Sequence, residues 1–153
     1  MVQATSPWYE AYPAPKNAAP IIPRQELLQW IHDGKQAGVD FALIDLRRTD
    51  LEGGTIRGAI NLPAQSLYPT IPALYSLLSS SKVKHVIWYC GSCGGRGTRA
   101  AAWFADYLEE RQDSSLESLA LEGGIKGWAA GGKEFTDLMD KYDESVWANL
   151  KSQ

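Results

Sequence analysis

The sequence predicts an α/β fold in which a largely parallel sheet is covered by helices on both faces. The first observation is a set of short apolar runs, Phe41 to Asp45, Gly58 to Leu62, Lys84 to Tyr89 and Leu116 to Leu121, which read as strands. The second is the helical spacing of apolar residues between and after them, at Ile71, Leu74, Leu77 and Leu78 within Pro69 to Ser80, and at Ala101, Ala102, Phe104, Ala105 and Leu108 within Thr98 to Glu110. The third is the shortness of the connections, which leaves little chain for anything but helix between parallel strands.

Before the first strand, Pro23 at a first helical position followed by Gln25 to His32, with Leu27, Leu28 and Ile31 on one side, predicts an amphipathic helix ending near Gly34. After the last, Phe135 to Leu150 is expected to form one closing helix. Residues 1–20 are rich in Ala and Pro, and five of the eight prolines fall between Pro7 and Pro23, which predicts an extended arm. Trp8, Tyr9 and Tyr12 give that arm aromatic surface that favours lying on the domain over standing in water. The expected division is therefore an arm over 1–20, a catalytic domain over 21–132 and a C-terminal helix within 133–153, packed on the same domain.

The bulk properties exclude several function classes. A chain of 153 residues holds one core and leaves no room for a second domain. No apolar run reaches the roughly 18 to 20 residues of a membrane span. A net charge of −3 with interspersed signs offers no basic stripe for a phosphate backbone, so neither membrane nor nucleic acid is an expected partner. The N-terminus lacks the marks of a signal or transit peptide, and two cysteines three apart do not staple a secreted scaffold, so a reducing, cytoplasmic setting is expected.

The chemistry concentrates in Val86 to Ala100. A buried strand runs into Cys90-Gly91-Ser92-Cys93-Gly94-Gly95-Arg96-Gly97, with four glycines in the seven positions after Cys90, and then into a helix. Such a loop can curl with its N–H groups inward around an anion, and the helix N-terminus behind it adds positive potential. A sulfur at the mouth of that nest is favoured as the thiolate, so Cys90 is the candidate nucleophile. Arg96 offers a bidentate fork to a tetrahedral oxyanion, and Gly91, Ser92, Cys93, Gly94, Gly95 and Gly97 are the candidate oxyanion-binding loop.

Three other readings of the loop fit less well. Gly95 to Ala100 matches G-x-G-x-x-A but falls too late in the chain to open a nucleotide-binding half. Cys90 and Cys93 have dithiol spacing, yet Gly94, Gly95 and Gly97 oppose a helix start between them. Zinc needs further ligands, and His32 and His85 are remote in sequence, so no metal is expected.

With these residues in view, the chain resembles the rhodanese-like domain from about Ile21 to Gly132. Leu43-Ile44-Asp45-Leu46-Arg47 and Glu52 to Pro63 look like the family's strand-ending D-x-R followed by G-H-I-x-G-A-x-N-(I/L)-P, and Leu121 to Trp128 is similar to its L-x-G-G-x-x-x-W. Thr55 stands where a His is usual. The resemblance implies a central, mostly parallel five-stranded sheet flanked by helices on both faces.

Within that superfamily the resemblance implies that sulfurtransferases have a loop one residue shorter, whereas the cell-cycle dual-specificity phosphatases and the fungal and plant arsenate reductases have Cys-x5-Arg, as here. The added residue widens the amide ring from one suited to a persulfide to one that seats a four-oxygen anion. Glu52-Gly53-Gly54 also resembles that branch. Cys93 and Gly94-Gly95 depart from both groups, and no acidic residue precedes Arg96, which counts against a phosphatase of protein substrates.

The leading expectation is an arsenate reductase that binds arsenate and no resident cofactor, with glutathione and glutaredoxin as the external reductants that the resemblance implies. Cys93 is a candidate resolving cysteine that reaches Cys90 to form a disulfide. A tyrosine- or dual-specificity-type phosphatase, a thiosulfate sulfurtransferase and a non-catalytic binding module remain as alternatives. Asp45 and Arg47 are expected to tie the first strand to the loop by buried hydrogen bonds, and Arg57 and Arg99 to be salt-bridged or solvated rather than catalytic.

Overall fold

The computed structural model describes residues 6–92 and 95–151. Five strands, β1 (Ile21–Ile22), β2 (Phe41–Asp45), β4 (Ile60–Asn61), β5 (His85–Tyr89) and β6 (Glu117–Leu121), form one sheet in the order β1-β6-β5-β2-β4, and every pairing in it is parallel. The strands alternate sides, as a two-residue period requires. Ala42, Ile44, Val86 and Trp88 face one layer, while Phe41, Leu43, Ile87 and Tyr89 face the other.

Helices α2 (Ala64–Leu67), α3 (Ile71–Ser79) and α4 (Arg96–Glu110) cover the first face, with Leu67, Ile71, Ala101 and Phe104 in its core. Helices α1 (Arg24–His32) and α5 (Gly124–Ala129) cover the second, with Leu27, Leu28, Ile125 and Trp128. The buried Trp88 indole donates to Ser118 Oγ at 2.9 Å and that hydroxyl donates to the Ala101 carbonyl at 2.7 Å, so the sheet and α4 meet without an unsatisfied polar group there.

Three details depart from the sequence reading. Pro23 is the N-cap of α1 rather than its first helical residue, and α4 begins at Arg96, two residues earlier than Thr98. The edge strand β1 pairs only through Ile21 with Ala120 and Ile22 with Leu121, too short a run to carry a periodic signal. The single helix expected over Phe135 to Leu150 is broken into α6 (Lys133–Thr136), β7 (Met139–Asp140) and α7 (Glu144–Lys151). Strand β7 pairs antiparallel with β3 (Thr55–Ile56), Lys141 turns through φ +57°, and the Asp143 carboxylate accepts the Ser145 N–H at 3.0 Å to restart the helix.

The arm lies on α4. Trp8 and Tyr12 meet the Trp103 ring edge-on, with centroids 6.1 and 6.0 Å away, and Trp103 Nε1–H donates to the Pro13 carbonyl at 2.8 Å. The Asp106 carboxylate accepts the amides of Lys16 at 2.7 Å and Asn17 at 3.2 Å. Residues 1–5 lie outside the described residues. Among the described residues no helix is long and apolar enough to cross a membrane.

Candidate active site

The carboxyl ends of β2 and β5 point to the same edge of the sheet, so whatever follows them is brought together there. Cys90 follows β5 directly and is 2% exposed. Its Sγ accepts the Gly97 N–H at 3.2 Å, in the first turn of the fifteen-residue α4, so the sulfur sits on the positive end of that helix. The Sγ–H in turn donates to the Ser92 carbonyl oxygen at 3.2 Å.

The loop is oriented by α5. The Ile125 N–H donates to the Cys90 carbonyl at 2.9 Å and the Lys126 N–H to the Gly91 carbonyl at 3.1 Å. Those donors belong to the first turn of α5, which has no partner for them within its own helix. The approach is so close that a Cβ on Gly124, at φ +59°, would stand 2.6 Å from the Cys90 oxygen. This gives the Gly-Gly of Leu121 to Trp128 a physical role: it lets α5 take up the carbonyls of Cys90 and Gly91.

Arg96 opens α4. Its Nη1 and Nη2 donate to the Asp50 carboxylate at 3.2 and 2.8 Å, a bidentate pair. A Cβ on Gly91 would lie 3.7 Å from Nη2, which puts the guanidinium over the Cys90–Gly91 segment. The Asp50 hydrogen bond holds the guanidinium protonated above its ordinary range, against burial, and Cys90 adds a smaller pull in the same direction. Arg96 in turn lowers the Asp50 carboxyl to about 2, with burial opposing and the Arg48 N–H assisting.

Asp50 is placed by a buried ion pair beneath it. Arg47 Nη2 donates to Asp45 Oδ2 at 2.7 Å and Nε to Oδ1 at 3.0 Å, and both residues are at most 1% exposed. The same guanidinium reaches the Gly54 carbonyl at 2.9 Å and the Asp50 carbonyl at 3.2 Å, so it folds the 47–54 turn around itself. From the other side, Trp147 of α7 donates its Nε1–H to the Gly53 carbonyl at 3.0 Å, and a Cβ on Gly53 (φ +90°) would run into that ring at 2.6 Å. Together Arg47, Asp50, Glu52, Gly91, Lys126 and Trp147 line most of a cavity of about 400 Å³ beside the loop.

The sequence-predicted residues sort as follows. Cys90, Gly91, Arg96 and Gly97 come together. Gly95 is the N-cap of α4, and its carbonyl accepts the Arg99 N–H at 3.0 Å. Ser92 differs from the expected nest, because it presents its carbonyl rather than its N–H to the sulfur. Cys93 and Gly94 lie outside the described residues. Asp45 and Arg47 are buried and hydrogen-bonded as expected, but among the described residues they tie the strand end to the 47–54 turn, through the Asp50 and Gly54 carbonyls, rather than to the cysteine loop. Arg57 is engaged by Asp140 at 3.2 Å and by the Asp137 carbonyl at 3.0 Å, and Arg99 lies 3.6 Å from the Tyr9 ring centroid. Thr55 lies in β3, opposite Asp140. Asp50, the α5 amides and Trp147 were missed by sequence reasoning. Asp50 and Arg96 are 46 residues apart, and the acid in Arg48-Thr49-Asp50 carries no signal beyond that of a polar turn.

The chain is similar to known proteins over most of its length. Residues 23–131 match the rhodanese-like domain. Arsenical-resistance protein 2 of Saccharomyces cerevisiae is 35% identical over 96 residues, spanning 58% of this chain and 74% of that protein. Two solved structures have the same fold at 22% identity. The yeast Ygr203w, described as a protein tyrosine phosphatase of the rhodanese family, superposes with a TM-score of 0.67 over 84% of this chain and 96% of its own. The As-Sb reductase of Leishmania major does so with 0.68 over 88% and 99%.

Proposed function

The chain belongs to the rhodanese-like domain family, and from that premise we propose that it is an arsenate reductase whose nucleophile is Cys90. The observation that carries the reading is the placement of the Cys90 sulfur against the Gly97 N–H at the start of α4, beside the guanidinium of Arg96. That arrangement sets a helix N-terminus and a guanidinium around the sulfur, where a tetrahedral anion in contact with it is stabilised.

In the proposed reaction the Cys90 thiolate attacks arsenic, a sulfur–arsenic bond forms, and one arsenate oxygen leaves as water after taking up protons. Arg96 and the loop amides hold the remaining oxygens. An external thiolate then attacks the Cys90 sulfur, and the electron pair of the sulfur–arsenic bond stays on arsenic, which departs as arsenite. A second thiol takes the first as a disulfide and returns Cys90 to the thiolate. The proposed reductants are glutathione and glutaredoxin, in a reducing cytoplasm. Cys93 is proposed as an alternative attacker on Cys90, in which case a Cys90–Cys93 disulfide is what the external thiols reduce. No metal or organic cofactor enters these steps.

Arsenate is favoured over a phosphomonoester by the likeness to Arsenical-resistance protein 2, and the leaving alkoxide of an ester is in addition a poor leaving group without a general acid. Asp50, the carboxylate bound to Arg96, has its carboxyl at about 2 and is ionised at neutral pH, so it has no proton to give. Purified protein tests the reading in one panel: glutathione- and glutaredoxin-dependent arsenite release, p-nitrophenyl phosphate hydrolysis, and thiocyanate formation from thiosulfate and cyanide, each against Cys90→Ser. Arsenite release that vanishes in Cys90→Ser is the expected result. Either of the other activities without arsenite release overturns it.

A further inference from the structure

We propose that Asp50 is the positioning residue for Arg96: its carboxylate grips the outer edge of the guanidinium and thereby turns the remaining N–H groups toward the oxyanion loop. The inference rests on the oxyanion-binding reading above and adds to it a residue outside the loop.

The contact uses Nη1 and Nη2, one nitrogen to each carboxylate oxygen. Arginine has further donors, above all Nε–H, and on this side of the guanidinium the partner is the Cys90 side chain. The guanidinium at the same time overhangs the backbone at Gly91. A carboxylate on one edge and the loop on the other fix the plane of the group, which a single exposed contact does not.

Asp50 is itself anchored, which separates this pair from an ordinary surface ion pair of small consequence. The Arg48 N–H donates to Asp50 Oδ1 at 3.1 Å, and Arg47 Nη1 donates to the Asp50 carbonyl at 3.2 Å. Arg47 is locked in turn to the buried Asp45, and Trp147 holds the turn at Gly53. The carboxylate is therefore presented by a braced turn, and the order Asp45, Arg47, Asp50, Arg96 runs from the sheet core to the site. The arrangement also has an electrostatic consequence. Paired with Asp50, Arg96 brings little net charge, so the anion is held by directed N–H groups rather than by a diffuse positive field.

The opposite role is also physically coherent: Asp50 competes with the anion for Arg96 and must be displaced. The two roles predict opposite effects of removing the charge. The test follows alkylation of Cys90 by iodoacetamide in the full-length chain at rising arsenate, mapped to Cys90 by fragment-ion mass spectrometry, in the wild type, Asp50→Asn and Asp50→Glu. Positioning predicts that Asp50→Asn needs about tenfold more arsenate for half protection and that Asp50→Glu recovers to within about threefold of the wild type. Protection of Asp50→Asn at the same or lower arsenate overturns the proposal, as does an Asp50→Glu chain no better than Asp50→Asn. Because the readout is binding, it stays separate from turnover. A wild type protected by arsenate but releasing no arsenite sinks the reductase reading alone, whereas a wild type without protection sinks both.

Discussion

The N–H of Ile125 donates to the carbonyl of Cys90 at 2.9 Å, so the residue expected to carry the chemistry is fixed through its backbone by the first turn of α5. The contact is possible because Gly124 has no side chain to hold the two backbones apart. Gly124→Ala places a methyl group 2.6 Å from that oxygen in a residue at φ +59°. The expected result is a loss of about 2 kcal/mol or more in urea unfolding, together with loss of the Cys90-dependent activity. Unchanged stability and activity contradict the role given to α5.

Arg96→Lys keeps the charge and loses the planar fork. If directed N–H groups rather than net charge hold the oxyanion, the variant loses on the order of 100-fold in kcat/KM for arsenate while unfolding at the wild-type urea concentration. A loss under about threefold would show that a point charge suffices.

The buried Asp45–Arg47 pair braces the turn that carries Asp50. Asp45→Asn leaves the Arg47 guanidinium inside the protein without its counter-charge, and the expected cost is about 3 to 5 kcal/mol by urea unfolding. A cost below about 1 kcal/mol would mean that the Gly54 and Asp50 carbonyls, which Arg47 already reaches, satisfy it without a counter-charge.

How much of this could be read from the chain depends on the length of each signal. Strands β2, β5 and β6 are five residues long with three or four consecutive apolar residues each and were legible, as was α4 with its apolar stripe. Strand β1 was not, because two residues define no period. The closing segment was misread for a physical reason: Leu138 and Met139 extend the apolar spacing of Phe135, but Met139 is held by pairing with Ile56, a residue 83 positions earlier. The same limit applies at the site. Cys90, Arg96 and the glycines lie in one stretch and announce themselves, whereas Asp50 and Trp147 act through contacts with distant turns.

Trp147 of α7 packs on Gly53 and donates to its carbonyl. Trp147→Ala is expected to lower stability by about 3 kcal/mol and to weaken arsenate protection of Cys90, since the turn carrying Asp50 loses its outer brace. Trp147→Phe, which keeps most of the ring and loses the hydrogen bond, is expected to fall between the two in thermal melting. Lower stability with unaltered arsenate binding would confine α7 to scaffolding.

The pH dependence of the Asp50 clamp follows from its direction of shift. The carboxyl sits at about 2, below its ordinary 3.8, because Arg96 hydrogen-bonds the charged form. An acid lowered in the folded state contributes fully above its unfolded value and loses that contribution as pH falls through the folded one. The clamp is therefore intact from about pH 5 upward and is released between about pH 4 and 2. The pH–rate profile of Asp50→Asn between about pH 5 and 9 is expected to lie below the wild-type curve with the same shape. A limb of the wild-type profile near neutral pH that disappears in Asp50→Asn contradicts this.

The central claim, that the Cys90 sulfur takes arsenic and is then attacked by an external thiol that releases arsenite, is tested most directly by trapping the protein at partial turnover and locating glutathione by mass spectrometry. A mixed disulfide on Cys90 that forms only when arsenate and glutathione are present together, and not with phosphate in place of arsenate, is the predicted result. Glutathione on Cys90 to the same extent without arsenate, or arsenite release from a chain carrying Cys90→Ser, contradicts it.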